Sequence, residues 1–155
     1  MAQHQKKACE EGHTIVFLDE SGFMMQPTVR RTWAPIGETP WIRPNFTRTR
    51  WTLIGALTVA PHSKRLGCYF FGQAENAVTE DFIEFLRLLY RQLRRRLLVI
   101  WDGLRAHLKA ARLLAGDPRF RFEQFPGYAP ELNPVESLWS WCKHGHLSNY
   151  CPSPF

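Results

Sequence analysis

The sequence predicts a mixed α/β layer fold, a sheet of hairpin and parallel strands with helices on both faces. Two observations carry that prediction. The elements run in the order strand, hairpin, helix, strand, helix, strand, helix. Two of the strands, near His13 and Leu97, are apolar on both alternations, as strands covered on both sheet faces read. A sheet that begins with a hairpin and then takes parallel strands through helical crossovers needs helices to cover it.

The first strand begins at His13, where HTIVFLD is expected to form a central strand ending at Asp19. A loop-rich stretch with Pro27, Pro35, Gly37, Pro40 and Pro44 follows. Trp51 to Val59 and Leu66 to Phe71, joined through Pro61-His62-Ser63-Lys64, read as a hairpin. Thr79-Glu80-Asp81 supplies an N-cap and an acidic first turn. The helix it opens carries Phe82, Phe85, Leu86, Leu89 and Leu93 at helical spacing and ends at Arg94-Arg95-Arg96, cations placed at a helix C-terminus. Leu97 to Trp101 is a short buried strand with Asp102 at its carboxyl end. The next helix has Leu104, Leu108, Ala111 and Leu114 on one stripe and Gly116 as its stop. Arg119 to Phe125 alternates, as a strand nearer an edge does. Asn133-Pro134-Val135-Glu136 reads as N-cap, N1 proline, N2 and N3 of a last helix. Its apolar stripe is Val135, Leu138, Trp139 and Cys142, and Trp139 and Trp141 are expected in the core.

The chain has 155 residues, 45% of them hydrophobic, which suits one domain with one core. Six Trp and eleven Phe exclude disorder as its main state. The most apolar stretches, Trp51 to Ala60 and Leu97 to Trp101, fall short of the roughly 18–20 residues a membrane-spanning helix needs. The opening MAQHQKKACEEG has no apolar core of a secretory signal, so a cytoplasmic protein is expected. Cys9, Cys68, Cys142 and Cys151 form no C-x-x-C pair, which favours free thiols over a disulfide scaffold. Cys142, His144 and His146, with Cys151 behind them, match no common zinc spacing. The net charge is +6, and 15 of the 20 basic residues are Arg, the side chain suited to bidentate phosphate contact.

Three carboxylates stand at the ends of elements: Asp19, Asp102 and Glu136. If the strands bearing the two Asp residues are neighbours, all three converge at one edge of the sheet. Carboxylates a few Å apart repel, so one takes up a proton unless a divalent cation lies between them. Hard oxygen donors with open positions suit Mg²⁺ or Mn²⁺, and two such ions activate the attacking oxygen and stabilise the leaving one in a phosphoryl displacement. Each residue also has a plainer reading. An Asp at a strand end forms turns or caps helices, and Glu at N3 behind an Asn cap completes a capping box.

The segments VFLDESGF, RRTWAPIGETP, VIWDGLRAH and FPGYAPELNPVESLWSWCK weigh against the plainer reading. In this order they resemble the catalytic domain of DDE transposases of the mariner superfamily, in its bacterial insertion-sequence branch. The last segment is the longest and most specific. The resemblance covers about residues 13–145 and implies a ribonuclease H-like fold. It maps a catalytic, metal-binding triad onto Asp19, Asp102 and Glu136, and the 33 residues between the last two match the short spacing of that superfamily. It further implies two Mg²⁺ or Mn²⁺ ions per site, cleavage at the ends of a mobile element, and strand transfer into target DNA. A homodimer acting on paired ends would do this at the nucleoid.

Around this triad the residues suggest further roles. Glu20 is expected to point away from Asp19, as a solvated or hairpin-paired charge. His107 is read as a helix-surface residue that reaches a phosphate or is simply structural. Arg30, Arg31, Arg43, Arg48 and Arg50 alternate with Trp33, Trp41 and Trp51, a mixture that suits DNA backbone contact and stacking or, equally, anchoring of the loop to the core. Residues 1–12 read as a polar tail, 13–145 as the catalytic domain and 146–155 as a short C-terminal tail. Relatives of this type carry helix-turn-helix modules before the catalytic domain, so the chain is expected to be a fragment lacking the part that reads element ends. Another ribonuclease H-like nuclease and an inactive DNA-binding remnant remain as alternatives.

Overall fold

The alternation of side chains along the first strand decides which side of the sheet every later element serves. In the computed structural model, residues 10–24, 28–41, 50–127 and 129–150 are described. Strand β1 (Thr14–Met24) is central, in the order β3-β2-β1-β4-β5. It pairs antiparallel with β2 (Arg50–Val59), which forms the expected hairpin with β3 (Leu66–Gln73). On its other side it pairs parallel with β4 (Leu97–Trp101), and β4 pairs parallel with the edge strand β5 (Phe120–Gln124). The helices are α1 (Thr79–Leu93), α2 (Arg105–Leu113) and α3 (Pro134–Trp141). Among the described residues no helix is long and apolar enough to cross a membrane.

Successive residues of a strand point to opposite faces, and the apolar side chains divide accordingly. Val16, Leu18, Ile54, Ala56, Leu97, Val99 and Trp101 pack on one face, under Phe82, Phe85, Leu86 and Leu89 of α1 and Ala110 of α2. Ile15, Phe17, Leu98 and Ile100 pack on the other, with Val135 and Trp139 of α3. The sheet therefore has helices on both faces, as the sequence predicts.

Several boundaries differ from expectation, each for a local reason. Strand β1 does not end at Asp19. Its parallel ladder with β4 stops at Phe17↔Ile100, but β2 continues to supply partners from Asp19↔Gly55 to Met24↔Arg50. Helix α1 is capped one residue earlier than Thr79: Asp81 accepts a hydrogen bond from the Val78 backbone N–H at 2.7 Å, and Val78 is the N-cap. The buried stripe of α2 is His107, Ala110 and Leu114, while Leu104 is exposed. The helix is thus rotated by about a residue from the stripe that its leucines suggest. Gly116 is not among the described glycines in the left-handed region, and the cap of α2 is Leu114. Trp139 is buried but Trp141 is 59% exposed, because two positions along a helix turn a side chain by about 200°.

Helix α3 reaches the sheet by laying the Trp139 indole on Gly55 of β2. A Cβ at position 55 would stand 2.6 Å from the Trp139 ring. The ring is itself held by an edge contact with Phe23 and a tilted contact with Phe70, at centroid distances of 5.8 and 6.0 Å, so it has little room to yield. Gly55→Ala is expected to lower stability by about 1–3 kcal/mol through overpacking. Chemical denaturation measures this, with Gly72→Ala on the outer strand as the milder comparison, since there only the end of the Leu53 side chain must move.

Candidate active site

Strand register brings the two aspartates together. Ile15 pairs with Leu98 and Phe17 with Ile100, so two residues further on Asp19 and Asp102 continue neighbouring rows on the α3 face. At this point β4 has ended, and the gap beside the continuing β1 becomes a pocket of about 240 Å³. Asp19, Asp102 and Glu136 all line it, together with Gly103, Asn133 and the turn around Pro126.

Glu136 arrives there through the start of α3. The Asn133 side chain accepts a hydrogen bond from Val135 N–H at 3.2 Å, and Pro134 occupies N1, where its missing N–H costs nothing. These features fix the first turn, and Glu136 at N3 shares the pocket with Asp19. One turn later, the Trp139 indole N–H donates to Asp19 Oδ2 at 3.1 Å.

The two aspartates have opposite electrostatics. Asp19 is buried, and its carboxyl is pushed up to about 7, first by burial and then by the negative charges of Glu136 and Glu20. The Trp139 and Glu20 N–H groups offset only part of this. Asp102 is held below the usual carboxylate range, chiefly by its hydrogen bond with His107. That bond, from Nδ1 to Oδ1, is 2.6 Å long, and Leu104 N–H donates to the same oxygen at 3.0 Å.

His107 is a site residue whose position the sequence did not show. It is fully buried, stacked on Trp101 at 4.7 Å and met edge-on by Phe82 at 4.4 Å. Its Nε2 lies 3.3 Å from Glu20 Oε2, an ion-pair contact without hydrogen-bond alignment. Burial alone would depress its pKa, but the hydrogen bond to Asp102 and the Glu20 carboxylate raise it to about 9. The expectation of a surface histidine reaching a phosphate is therefore corrected, since the ring is buried and both its nitrogens face carboxylates of the protein. Glu20 does point away from Asp19, as expected, but that face is covered, and it meets His107 rather than solvent. Asp at i with His at i+5 across a helix start was the available signal, masked by the apparent leucine stripe.

The basic loop residues are partly visible. Arg30 and Arg31 are exposed, and the Arg30 backbone N–H donates to Asn149 Oδ1 at 2.8 Å. The Arg50 guanidinium lies over Gly22. Arg43 and Arg48 lie outside the described residues. Trp33 and Trp41 are exposed, so neither anchors its loop to the core. Near the C-terminus, Cys142 is a free thiol, and the His146 ring packs edge-on against Trp141 at 4.2 Å.

The pocket fits a hard divalent cation in the kind of its donors. Three carboxylates face one opening, and one of them is held near half-protonation at neutral pH by burial and like charge, which a cation would relieve. As the side chains stand, no three His, Cys, Asp or Glu among the described residues are gathered closely enough to enclose an ion.

The mixed five-stranded sheet, with helices on both faces and carboxylates beside the central strand, is the ribonuclease H-like fold. Residues 14–153 match the DDE superfamily endonuclease family, and the chain belongs to it. Among solved structures it is similar to the Mos1 mariner paired-end complex with Mn, at 18% identity and a TM-score of 0.64 over 97% of this chain and 50% of that one. It is also similar to the Mos1 strand transfer complex, at 19% identity and a TM-score of 0.61 over 99% and 50%. The paired-end complex with Mg matches at 17% and 0.57 over 99% and 50%. The chain thus spans about half the length of these relatives. No curated protein sequence matches it.

The raised carboxyl of Asp19 makes the metal-free protein pH-sensitive. Its folded pKa of about 7 exceeds the ordinary value of 3.8, so the folded state binds more protons between those values, and this contribution to stability is lost as pH rises through 7. Asp19→Asn keeps an acceptor for Trp139 and removes the charge. In EDTA at pH 8 it is expected to raise Tm by roughly 5–10 °C, and below pH 4 to change it little. Thermal melts across that range check this.

Proposed function

We propose that this chain is a transposase catalytic domain that cleaves DNA and transfers the cut strand with Mg²⁺ or Mn²⁺ held by Asp19, Asp102 and Glu136. The observation that carries the reading is the pocket beside β1, which the three carboxylates share. Membership of the DDE superfamily endonuclease family and the likeness to Mos1 complexes described with Mn and Mg support it.

In this mechanism each residue has a separate task. Asp102, whose carboxyl is held below its usual range by the hydrogen bond with His107, would offer a carboxylate oxygen to the pocket. Asp19, whose carboxyl is raised to about 7 by burial and by the Glu136 and Glu20 charges, would hold the ion as its carboxylate. Glu136 would be a third ligand, placed in the first turn of α3. Two bound ions would supply activation of a water or 3′-hydroxyl and stabilisation of the leaving 3′ oxygen. The partner is DNA, with Arg30, Arg31, Arg48 and Arg50 assigned to its phosphates, and paired element ends call for two copies of the domain. The chain belongs to an insertion sequence in this reading and carries its chemistry.

Nicking of supercoiled plasmid tests the proposal. The expected result is Mn²⁺-dependent nicking by the purified chain that falls at least about 100-fold in Asp102→Asn and is absent in EDTA. Nicking that survives Asp102→Asn, or a folded, DNA-bound chain that does not nick, would overturn it for the isolated domain.

A further inference from the structure

The proposed metal site uses Asp102 but leaves unexplained a fully buried imidazole clamped behind it. His107 is 0% exposed, stacked flat on Trp101 with 5° between the rings and crossed by Phe82 at 83°. Two aromatic rings thus fix the plane in which its nitrogens point. Nδ1 meets Asp102 Oδ1 at 2.6 Å, and Nε2 faces Glu20 Oε2 at 3.3 Å. A carboxylate only accepts, so Nδ1 carries the proton it shares with Asp102.

Among the described residues, both hydrogen bonds to Asp102 fall on one oxygen. Oδ1 accepts from His107 and from Leu104 N–H, while the Asp102 side chain remains 56% exposed. The residue also lines the pocket, and neither of these bonds uses its second oxygen. The support is supplied from the opposite side of the sheet, since Glu20 follows Val16 and Leu18 on the α1 and α2 face.

We propose that His107, braced by Glu20, is a positioning residue that locks Asp102 Oδ1 and so aims Oδ2 as the cation-binding oxygen. This rests on the metal-dependent reading above. It is the arrangement by which outer groups orient a first ligand, and loss of such groups typically weakens metal affinity about 10–100-fold. A histidine present only to fill the core would be replaceable by any residue of similar volume.

Calorimetric titration of the full chain with Mn²⁺ separates the two roles. His107→Asn keeps a donor where Nδ1 stood, His107→Gln keeps one where Nε2 stood, and His107→Ala keeps neither. The expected result is Mn²⁺ binding within about threefold of the parent for His107→Asn, and about 10–100-fold weaker for His107→Gln and His107→Ala. Binding unaffected in His107→Ala, or equally weakened in His107→Asn and His107→Gln, overturns the proposal. If His107→Ala does not fold, the Asn and Gln pair decides alone.

A second measurement needs no metal. In proton–nitrogen NMR of the histidine rings, the His107 Nδ1–H is expected as a downfield, exchange-protected signal that shifts or vanishes in Asp102→Ala. A signal indifferent to that change overturns the positioning role. Parent chain that binds no Mn²⁺ while the signal responds to Asp102 overturns the metal reading, and this proposal with it. Mn²⁺ binding that ignores His107 overturns this proposal alone.

Discussion

The indole N–H of Trp139 donating to Asp19 is the contact on which the arrangement of the site depends. It joins the last helix to the central strand across 120 residues of sequence. It forms because Gly55 on the neighbouring strand has no side chain to hold the ring away, and because Phe23 and Phe70 pack against the ring. With the indole seated, the first turn of α3 has one position, and Glu136 is delivered to the side of Asp19. A buried polar bond of this kind fixes one packing among several that would bury similar apolar area.

That proximity has an electrostatic consequence. Burial and the Glu136 charge raise the Asp19 carboxyl to about 7, while the His107 bond keeps Asp102 low. One pocket therefore holds a carboxyl that resists ionisation and another that ionises more readily than usual. The sheet divides the labour by face. The α3 face carries the pocket, and the α1 and α2 face carries the imidazole and Glu20 that stand behind Asp102.

Much of this architecture was legible from residue patterns. Doubly apolar runs at Thr14 and Leu97 identify interior strands, and Asn133-Pro134 marks a helix start, because each signal depends on neighbours in sequence. The gathering of Asp19, Asp102 and Glu136 followed once the two interior strands were taken as adjacent. The extent of β1 beyond Asp19 was not legible, since it depends on β2 continuing to pair after β4 has stopped. The burial of His107 was missed for a related reason. Leu104, Leu108, Ala111 and Leu114 form a plausible stripe, yet the buried positions are His107, Ala110 and Leu114.

The sequence by itself determined the order of elements, the two-faced burial of the central strands and the carboxylates available at their ends, all of which are local properties of period and composition. Only the tertiary structure decided which face of α2 meets the sheet, that Glu20 finds a histidine on its covered side, and that Trp139 rather than Trp141 reaches the interior. A strand's alternation is fixed by backbone geometry, whereas the rotation of a helix against a sheet is set by the shapes and polar partners it meets there. Polar contacts such as those of Asp102 with His107 can override the pull of exposed leucines because a buried unpaired charge costs more than an exposed methyl group.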